Sequence, residues 1–273
     1  RAVLASALLL LGGYMAARIL DITPPLPTPS STISSESGPG EWAMINRNLS
    51  GPGPVPGETA AFKGQVQWMF KSPSPIVSTP AVRGDRVYLT TYDGVVMALD
   101  RNTGNPIWEY KGSGAIDSSP AIAGDLLFYG GRSSKVTALD ADTGTMLWEF
   151  ETQNPIIGSP IVDNGVVYIG SGDGKVYALD ALTGKKYWSR STRDWIVNAP
   201  ALMGDILVVG SMDGAVYMYD VDTGKKRFEL RNLGGKVEGS PVVVGDSIYV
   251  TTRNGLVYSV KLKETEIPLA KLW

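Results

Sequence analysis

The chain has 273 residues, with 25 Lys and Arg against 27 Asp and Glu, for a net charge of -2. Near-neutral charge with scattered cations argues against nucleic acid as the partner. The absence of both Cys and His removes disulfides, thiolate metal sites, a lipidated cysteine and any Ser-His-Asp or Cys-His engine.

The first element in chain order is apolar. Ala2 to Ala17 carries no charge, Arg18 interrupts it, and Ile19 and Leu20 follow. At ~1.5 Å per residue, some ~19 helical residues span roughly 28 Å, close to the hydrocarbon core of a bilayer. Residues 1–20 are therefore expected to form a transmembrane anchor helix, with Arg18 snorkelling to the headgroups. The competing reading is a cleaved signal peptide ending near Ala16-Ala17. Residues 21–60 change character: Pro24, Pro25, Pro27, Pro29 and Pro39 lie among Ser, Thr and Gly. Such a stretch buries too little apolar area to fold alone and reads as an extended linker.

From residue 61 onward the chain repeats. Val96-Met97-Ala98-Leu99-Asp100, Thr103-Gly104 and Trp108 return as Val136 to Asp140, Thr143-Gly144 and Trp148. They return again as Val176 to Asp180, Thr183-Gly184 and Trp188, and as Val216 to Asp220, Thr223-Gly224 and Phe228. A fixed period near 40 residues means a solenoid, an array or a propeller. Within a unit, four short strand signals alternate with turn signals. In the third unit Asn164-Gly165 and Asp173-Gly174 supply the positive torsions of tight hairpins. Gly84-Asp85, Gly124-Asp125, Gly204-Asp205 and Gly245-Asp246 fill the first turn of the other units. Asp93-Gly94, Asp213-Gly214 and Asn254-Gly255 fill the second, while the second unit departs with Ser133-Ser134. Four antiparallel strands per ~40 residues describe a propeller blade. The expected fold is all-β: a β-propeller of four-stranded blades over 61–273, five repeats visible, preceded by one transmembrane helix.

The string Ala-x-Asp-x-x-Thr-Gly-x-x-x-Trp resembles the tryptophan-docking motif of pyrroloquinoline-quinone-type (PQQ-like) propeller repeats. The Ser-Pro pair opening most units fits, and Glu41-Trp42-Ala43-Met44 resembles the leading segment of many such proteins. The resemblance implies that Trp68, Trp108, Trp148 and Trp188 dock neighbouring blades, with Phe228 as a substitute. A large apolar ring once per unit is also what a blade-to-blade contact needs. Gln65–Phe70 reads as a lone fourth strand that would complete the last blade and close a five-bladed ring. Trp273 is the rival candidate for the last docking position. In the family's dehydrogenases the cofactor lies in an eight-bladed ring beside calcium, under a vicinal disulfide. A chain without Cys lacks that feature.

Two sequence motifs dissolve on inspection. Asp140-Ala141-Asp142-Thr143-Gly144 has its Gly one place too early for a calcium loop, and Trp148 follows where such a loop continues. Gly170 to Lys175 is too short for a phosphate loop and lacks its Ser or Thr. No cofactor, no metal site and no catalytic residue is expected. Columns that vary between units are free to carry individual function. One such column holds Val77, Asp117, Ile157, Val197 and Glu238; another holds Pro75, Ala115, Pro155, Trp195 and Lys236. Asp117 and Glu238 are expected near the channel mouth, facing each other across it or as solvated rim charges. Arg193, Asp194 and Trp195 are a candidate partner contact, since Trp and Arg are favoured interface anchors.

These readings point to a membrane-anchored, non-catalytic propeller on the exported side of a bacterial inner membrane. It would be an accessory or assembly subunit that meets other membrane-protein subunits through helix, linker and propeller face. By resemblance it is similar to the outer-membrane assembly lipoprotein family, a scaffold. The alternatives are a quinoprotein-type dehydrogenase or other propeller enzyme, and the sensor ectodomain of a receptor kinase.

Overall fold

The computed structural model describes residues 65–262. The expected anchor, the linker and Trp273 lie outside the described residues, and so does the docking partner expected for Phe228. Every regular element among the described residues is a β-strand. Blade 1 is built from β1 (Ala81–Arg83), β2 (Arg86–Thr90), β3 (Val95–Asp100) and β4 (Pro106–Lys111). Blade 2 is β5 (Ala121–Ala123), β6 (Leu126–Gly130), β7 (Lys135–Asp140) and β8 (Met146–Glu151). Blade 3 is β9 (Ile161–Asp163), β10 (Val166–Gly170), β11 (Lys175–Asp180) and β12 (Lys186–Ser191). Blade 4 is β13 (Ala201–Met203), β14 (Ile206–Ser211), β15 (Ala215–Asp220) and β16 (Lys226–Leu230). Blade 5 has β17 (Val242–Val244), β18 (Ser247–Thr251) and β19 (Val257–Lys261). Each blade is a meander of antiparallel neighbours, four-stranded in blades 1 to 4 and three-stranded in blade 5 among the described residues.

The turn chemistry does what the sequence requires. Asn164 and Gly165 adopt φ of 46° and 76°, so both central residues of that hairpin are left-handed. In the departing second unit Ser134 itself takes φ 64°, a conformation the other blades give to glycine. In blades 1 to 4 the third strand slips by one residue against the fourth, as between Ala138 and Leu139. That irregularity stands just before the Asp that opens the next turn.

The core lies between blades. The second and third strands are nearly continuous apolar runs, because both faces of an inner blade are covered. Small residues let neighbours close in. A Cβ added at Gly130 would stand 2.2 Å from Ile156 Cγ2, and one at Gly170 would stand 2.1 Å from Ile196 Cγ2. Ile156, Ile196 and Val237 are therefore knobs, each seated on the second strand of the blade before it.

The tryptophans work the same way at the outer edge. Trp108, Trp148 and Trp188 lie on the fourth strands of blades 1 to 3. Each donates its indole N–H to a carbonyl in the next unit: Ala141 at 3.1 Å, Ala181 at 3.0 Å and Val221 at 3.0 Å. Trp68 does so to Arg101 at 2.8 Å. The rings lie over the Thr-Gly glycines; a Cβ on Gly144 would be 2.5 Å from Trp108 and one on Gly184 2.6 Å from Trp148. Tyr88, Phe128 and Tyr168 back the three strand-borne rings at 5.8 to 6.1 Å.

One expectation is corrected here. Gln65–Phe70 forms no strand and pairs with nothing in the last blade; Trp68 and Phe70 instead pack on Leu89, Met97 and Leu99 of blade 1. Among the described residues no strand from this segment completes blade 5, which stays three-stranded, while Trp68 makes on blade 1 the contact that each docking tryptophan makes on the next unit. Phe228, on the fourth strand of blade 4, is 46% exposed and has no ring N–H to donate.

Candidate functional site

Two ends of the propeller differ in what they display. At one end the turns between first and second strands meet those between third and fourth. There Arg101, Ala141, Ala181 and Val221 donate their amides to Asp85, Asp125, Gly165 and Asp205 carbonyls. In blades 1 to 4 the third strand closes on an aspartate that caps its turn: Asp140 Oδ1 accepts the Thr143 amide and hydroxyl, both at 2.8 Å. Asp100, Asp180 and Asp220 repeat this. Thr103 and Thr143 hydroxyls hold the Asp100 and Asp140 carboxyls below the usual carboxylate range. These residues are engaged in turns and leave no ligand set. Among the described residues no group of three or more acidic side chains is placed to hold a metal ion.

At the other end, the hairpins between second and third strands meet the segments that link one blade to the next. The contact is a repeated backbone bond. The amides of Tyr92, Arg132, Gly172, Met212 and Arg253 donate to the carbonyls of Pro75, Ala115, Pro155, Trp195 and Lys236. All the candidate partner residues lie here. Asp117 and Glu238 each pair with an arginine. Arg132 binds Asp117 through Nε at 2.6 Å and Nη2 at 3.2 Å, a two-pronged pair, and stacks over Tyr92 with its guanidinium carbon 5.7 Å from the ring centre. Glu238 pairs with Arg253 at 2.9 Å. Of the two readings offered for these carboxylates, rim charges or an opposed pair, the pairings fit the first: each meets a cation fifteen residues on in its own unit.

Arg193, Asp194 and Trp195 form one turn over blade 3. Asp194 Oδ1 accepts the Trp195 amide at 2.8 Å, and the Arg193 amide donates to Asp213 at 3.2 Å. Trp195 leans on Gly172, where a Cβ would stand 3.3 Å from the ring, yet remains 41% exposed. Tyr92 is 43% exposed on the same end. In blades 3 and 4 the Tyr177 and Tyr217 hydroxyls donate to Asp173 and Asp213 at 2.5 Å; burial first, and then these bonds, pushes both phenols up and keeps them neutral. The arrangement is a rigid rim carrying two exposed rings and two neutralised ion pairs.

The comparisons with known proteins agree with the repeat reading. A PQQ-like family profile described as outer membrane protein assembly factor BamB matches residues 57–149 and 112–273. The chain belongs to this family. Among solved structures it is similar to BamB from Moraxella catarrhalis, at 22% identity and a TM-score of 0.61, over 73% of this chain and 68% of that one. It is similar to the computationally designed Ika8 protein, at 20% identity and a TM-score of 0.62, over 67% and 57%. The quinohemoprotein alcohol dehydrogenase ADHIIG from Pseudomonas putida HK5 shares 18% identity with a TM-score of 0.72 over 86% of this chain, which spans 49% of that enzyme. These likenesses show the fold. Among curated proteins no match was found. No helix among the described residues is long and apolar enough to cross a membrane.

The Arg132 and Arg253 pairings were within reach of the sequence. Arginine appears in the column Tyr92, Arg132, Gly172, Met212, Arg253 only in the units whose other column is acidic.

Proposed function

We propose that this protein is a non-catalytic propeller scaffold, an accessory or assembly subunit of a larger bacterial membrane-protein complex. The observation that carries the reading is the hairpin-and-linker end, where the charges at Arg132–Asp117 and Arg253–Glu238 are satisfied while Trp195 and Tyr92 offer exposed rings. Paired charges with exposed aromatics suit a partner surface, since rings anchor interfaces and unpaired charge is absent from their centres. Membership in a family described as an assembly factor supports the same reading. In this proposal residues 1–20 anchor the chain in the inner membrane, residues 21–60 run along the partner, and the propeller stands on the exported side.

Site-specific photo-crosslinking in cells tests it. A photoreactive residue at position 195 or 92 is expected to give a discrete adduct with a membrane protein. The same probe at position 125 or 165, on the opposite end, should give none. Adducts confined to the opposite end would overturn the assignment of the face. Saturable binding of pyrroloquinoline quinone with dye-linked alcohol oxidation would overturn the scaffold reading in favour of the dehydrogenase alternative.

A further inference from the structure

The chain holds two Asn-Gly pairs, Asn164-Gly165 and Asn254-Gly255, and the fold treats them differently. Asn164-Gly165 is the two-residue hairpin between β9 and β10, closed by the Asp163–Val166 pair. Both residues have positive φ, 46° and 76°, the signs of a type I′ turn. The same hairpin in the other blades reads Gly-Asp, and there only the glycine is positive: Gly84, Gly124, Gly204 and Gly245 lie at 57° to 59°. Those are the signs of type II′. The two turns share a positive φ at the first central residue and differ by a flip of the central peptide, which carries ψ of that residue to roughly −120°.

Blade 3 allows that flip. Among the described residues neither the Asn164 carbonyl nor the Gly165 amide has a hydrogen-bond partner. The Gly165 carbonyl, outside the flipping peptide, accepts the Ala181 amide at 2.9 Å, a bond that Asp85, Asp125 and Asp205 make from their type II′ turns. Once flipped, the Gly165 nitrogen stands on the side of the Asn164 side chain, within a five-membered ring's reach of Cγ. The Asn164 side chain is exposed, and its Nδ2 donates to Asp163 Oδ2 at 3.1 Å. Burial raises the Asp163 carboxyl above its ordinary value, so it holds a proton more readily. At the second pair both reacting groups are tied down. The Gly255 amide donates to the Thr252 carbonyl at 3.0 Å, and Asn254 Nδ2 to the Gly234 carbonyl at 2.5 Å.

We propose that Asn164 is a modification site, deamidated spontaneously through the Gly165 nitrogen with water as the only co-reactant. That nitrogen attacks Asn164 Cγ, the Cγ–Nδ2 bond breaks, and ammonia leaves with the proton that the Gly165 nitrogen gives up. Asp163 lies beside the leaving nitrogen and is placed to relay that proton. The product is a cyclic succinimide. Water opens it at either carbonyl, giving Asp or isoaspartate at position 164. Either product sets a second carboxylate beside Asp163 where a donor stood, and isoaspartate also lengthens the turn. The hairpin that holds the Ala181 amide is weakened. The site is independent of the scaffold reading.

Peptide mapping by mass spectrometry decides it, on the full chain in mild detergent, aged in mildly alkaline buffer made with heavy-oxygen water. Heavy oxygen is expected to enter at residue 164. Asn164 should convert about tenfold faster than Asn254, whose amide and carboxamide must each give up a hydrogen bond first. In urea the two sites should convert at similar rates, because the advantage belongs to the turn. Conversion at Asn164 no faster than at Asn254 in the folded protein, or an advantage that persists in urea, would overturn the proposal. Asn164→Gly combined with Gly165→Asp installs the pair of the other blades; it should fold with an unchanged melting temperature and take up no label at this hairpin. Label entering there regardless would show that the uptake is not succinimide chemistry at Asn164. Asp163→Ser should slow conversion at least about tenfold, and undiminished conversion would overturn the role given to Asp163. The converted fraction is expected to melt below the unconverted one; an equal midpoint would overturn the weakening assigned to the product.

Discussion

At the scale of single residues, the tryptophan and the glycine it covers act as one unit. Trp148 is buried, its indole is hydrogen-bonded to the next unit, and it fills a space that only a residue without Cβ leaves open. Trp148→Ala is expected to destabilise the protein by ~3–5 kcal/mol, read as a lower melting temperature. An unchanged midpoint would mean that the ring does not hold the two blades together. The capping aspartates make a second residue-scale prediction. The Thr143 hydroxyl, the leading cause, lowers the Asp140 carboxyl below its ordinary value. A group depressed in the folded state contributes stability above its unfolded pKa and loses it as pH falls through the folded value. These caps therefore weaken the fold below about pH 4. Thr143→Val removes one donor, so NMR titration of Asp140 should show its pKa move up toward the ordinary range; no movement would mean that the backbone amides alone hold it. Both features were legible in the sequence because each recurs at a 40-residue spacing, the tryptophans from Trp68 to Trp188 and the aspartates from Asp100 to Asp220. Arg132 and Trp195 occur once or twice, and repetition says nothing about where such side chains turn.

At the scale of elements, the first strands are joined by a girdle that the sequence reading missed. The Thr79 amide donates to Ser119 Oγ at 2.9 Å, the Ser119 amide to Ser159 Oγ at 2.9 Å, and the Ala199 amide to Ser240 Oγ at 3.1 Å. Each bond ties the start of one innermost strand to the next blade. The Ser-Pro pairs were visible as unit markers, but a hydroxyl before proline does not reveal that its partner lies forty residues away. The girdle has one gap. Position 199 is Ala, so the Ser159 amide lacks the hydroxyl that the other junctions supply. Ala199→Ser completes the series and is expected to raise stability by about 1 kcal/mol, the net value of a typical intramolecular hydrogen bond. A melt or urea titration reads it. A lower midpoint would show that this junction is too tightly packed to admit the oxygen, which the buried setting of Ala199 makes the relevant competing effect.

For the whole molecule, stability is distributed like that of a stack, in which each unit gains from the neighbours it touches. Blade 3 is covered on both faces, and the four central side chains of β11, Val176 to Leu179, are buried. Blade 5 packs one face on blade 4 through Val243, Ile248 and Val250, while its other face carries exposed Val244, Tyr249 and Val257. In the preceding blade the matching residues Val208 and Val216 are buried by blade 5 itself. The residue that should dock this last junction is Phe228, without an indole N–H. The opposite end is better covered, because Trp68 and Phe70 lie on blade 1, yet Ile76 is half exposed where its counterparts Ile116, Ile156 and Ile196 are buried. Local opening follows coverage, and amide exchange reports it. Backbone amides of β18 and β19 are therefore expected to exchange at least about tenfold faster than those of β10 and β11, with blade 1 between. By the same logic, Phe228→Trp should slow exchange in blade 5 only if a backbone carbonyl stands within reach of the new N–H. Equal protection in blades 3 and 5 would mean that the Tyr249 face is covered in solution. The open face would then belong to an interface, and the search for the partner would move from the Trp195 end to the side of the last blade.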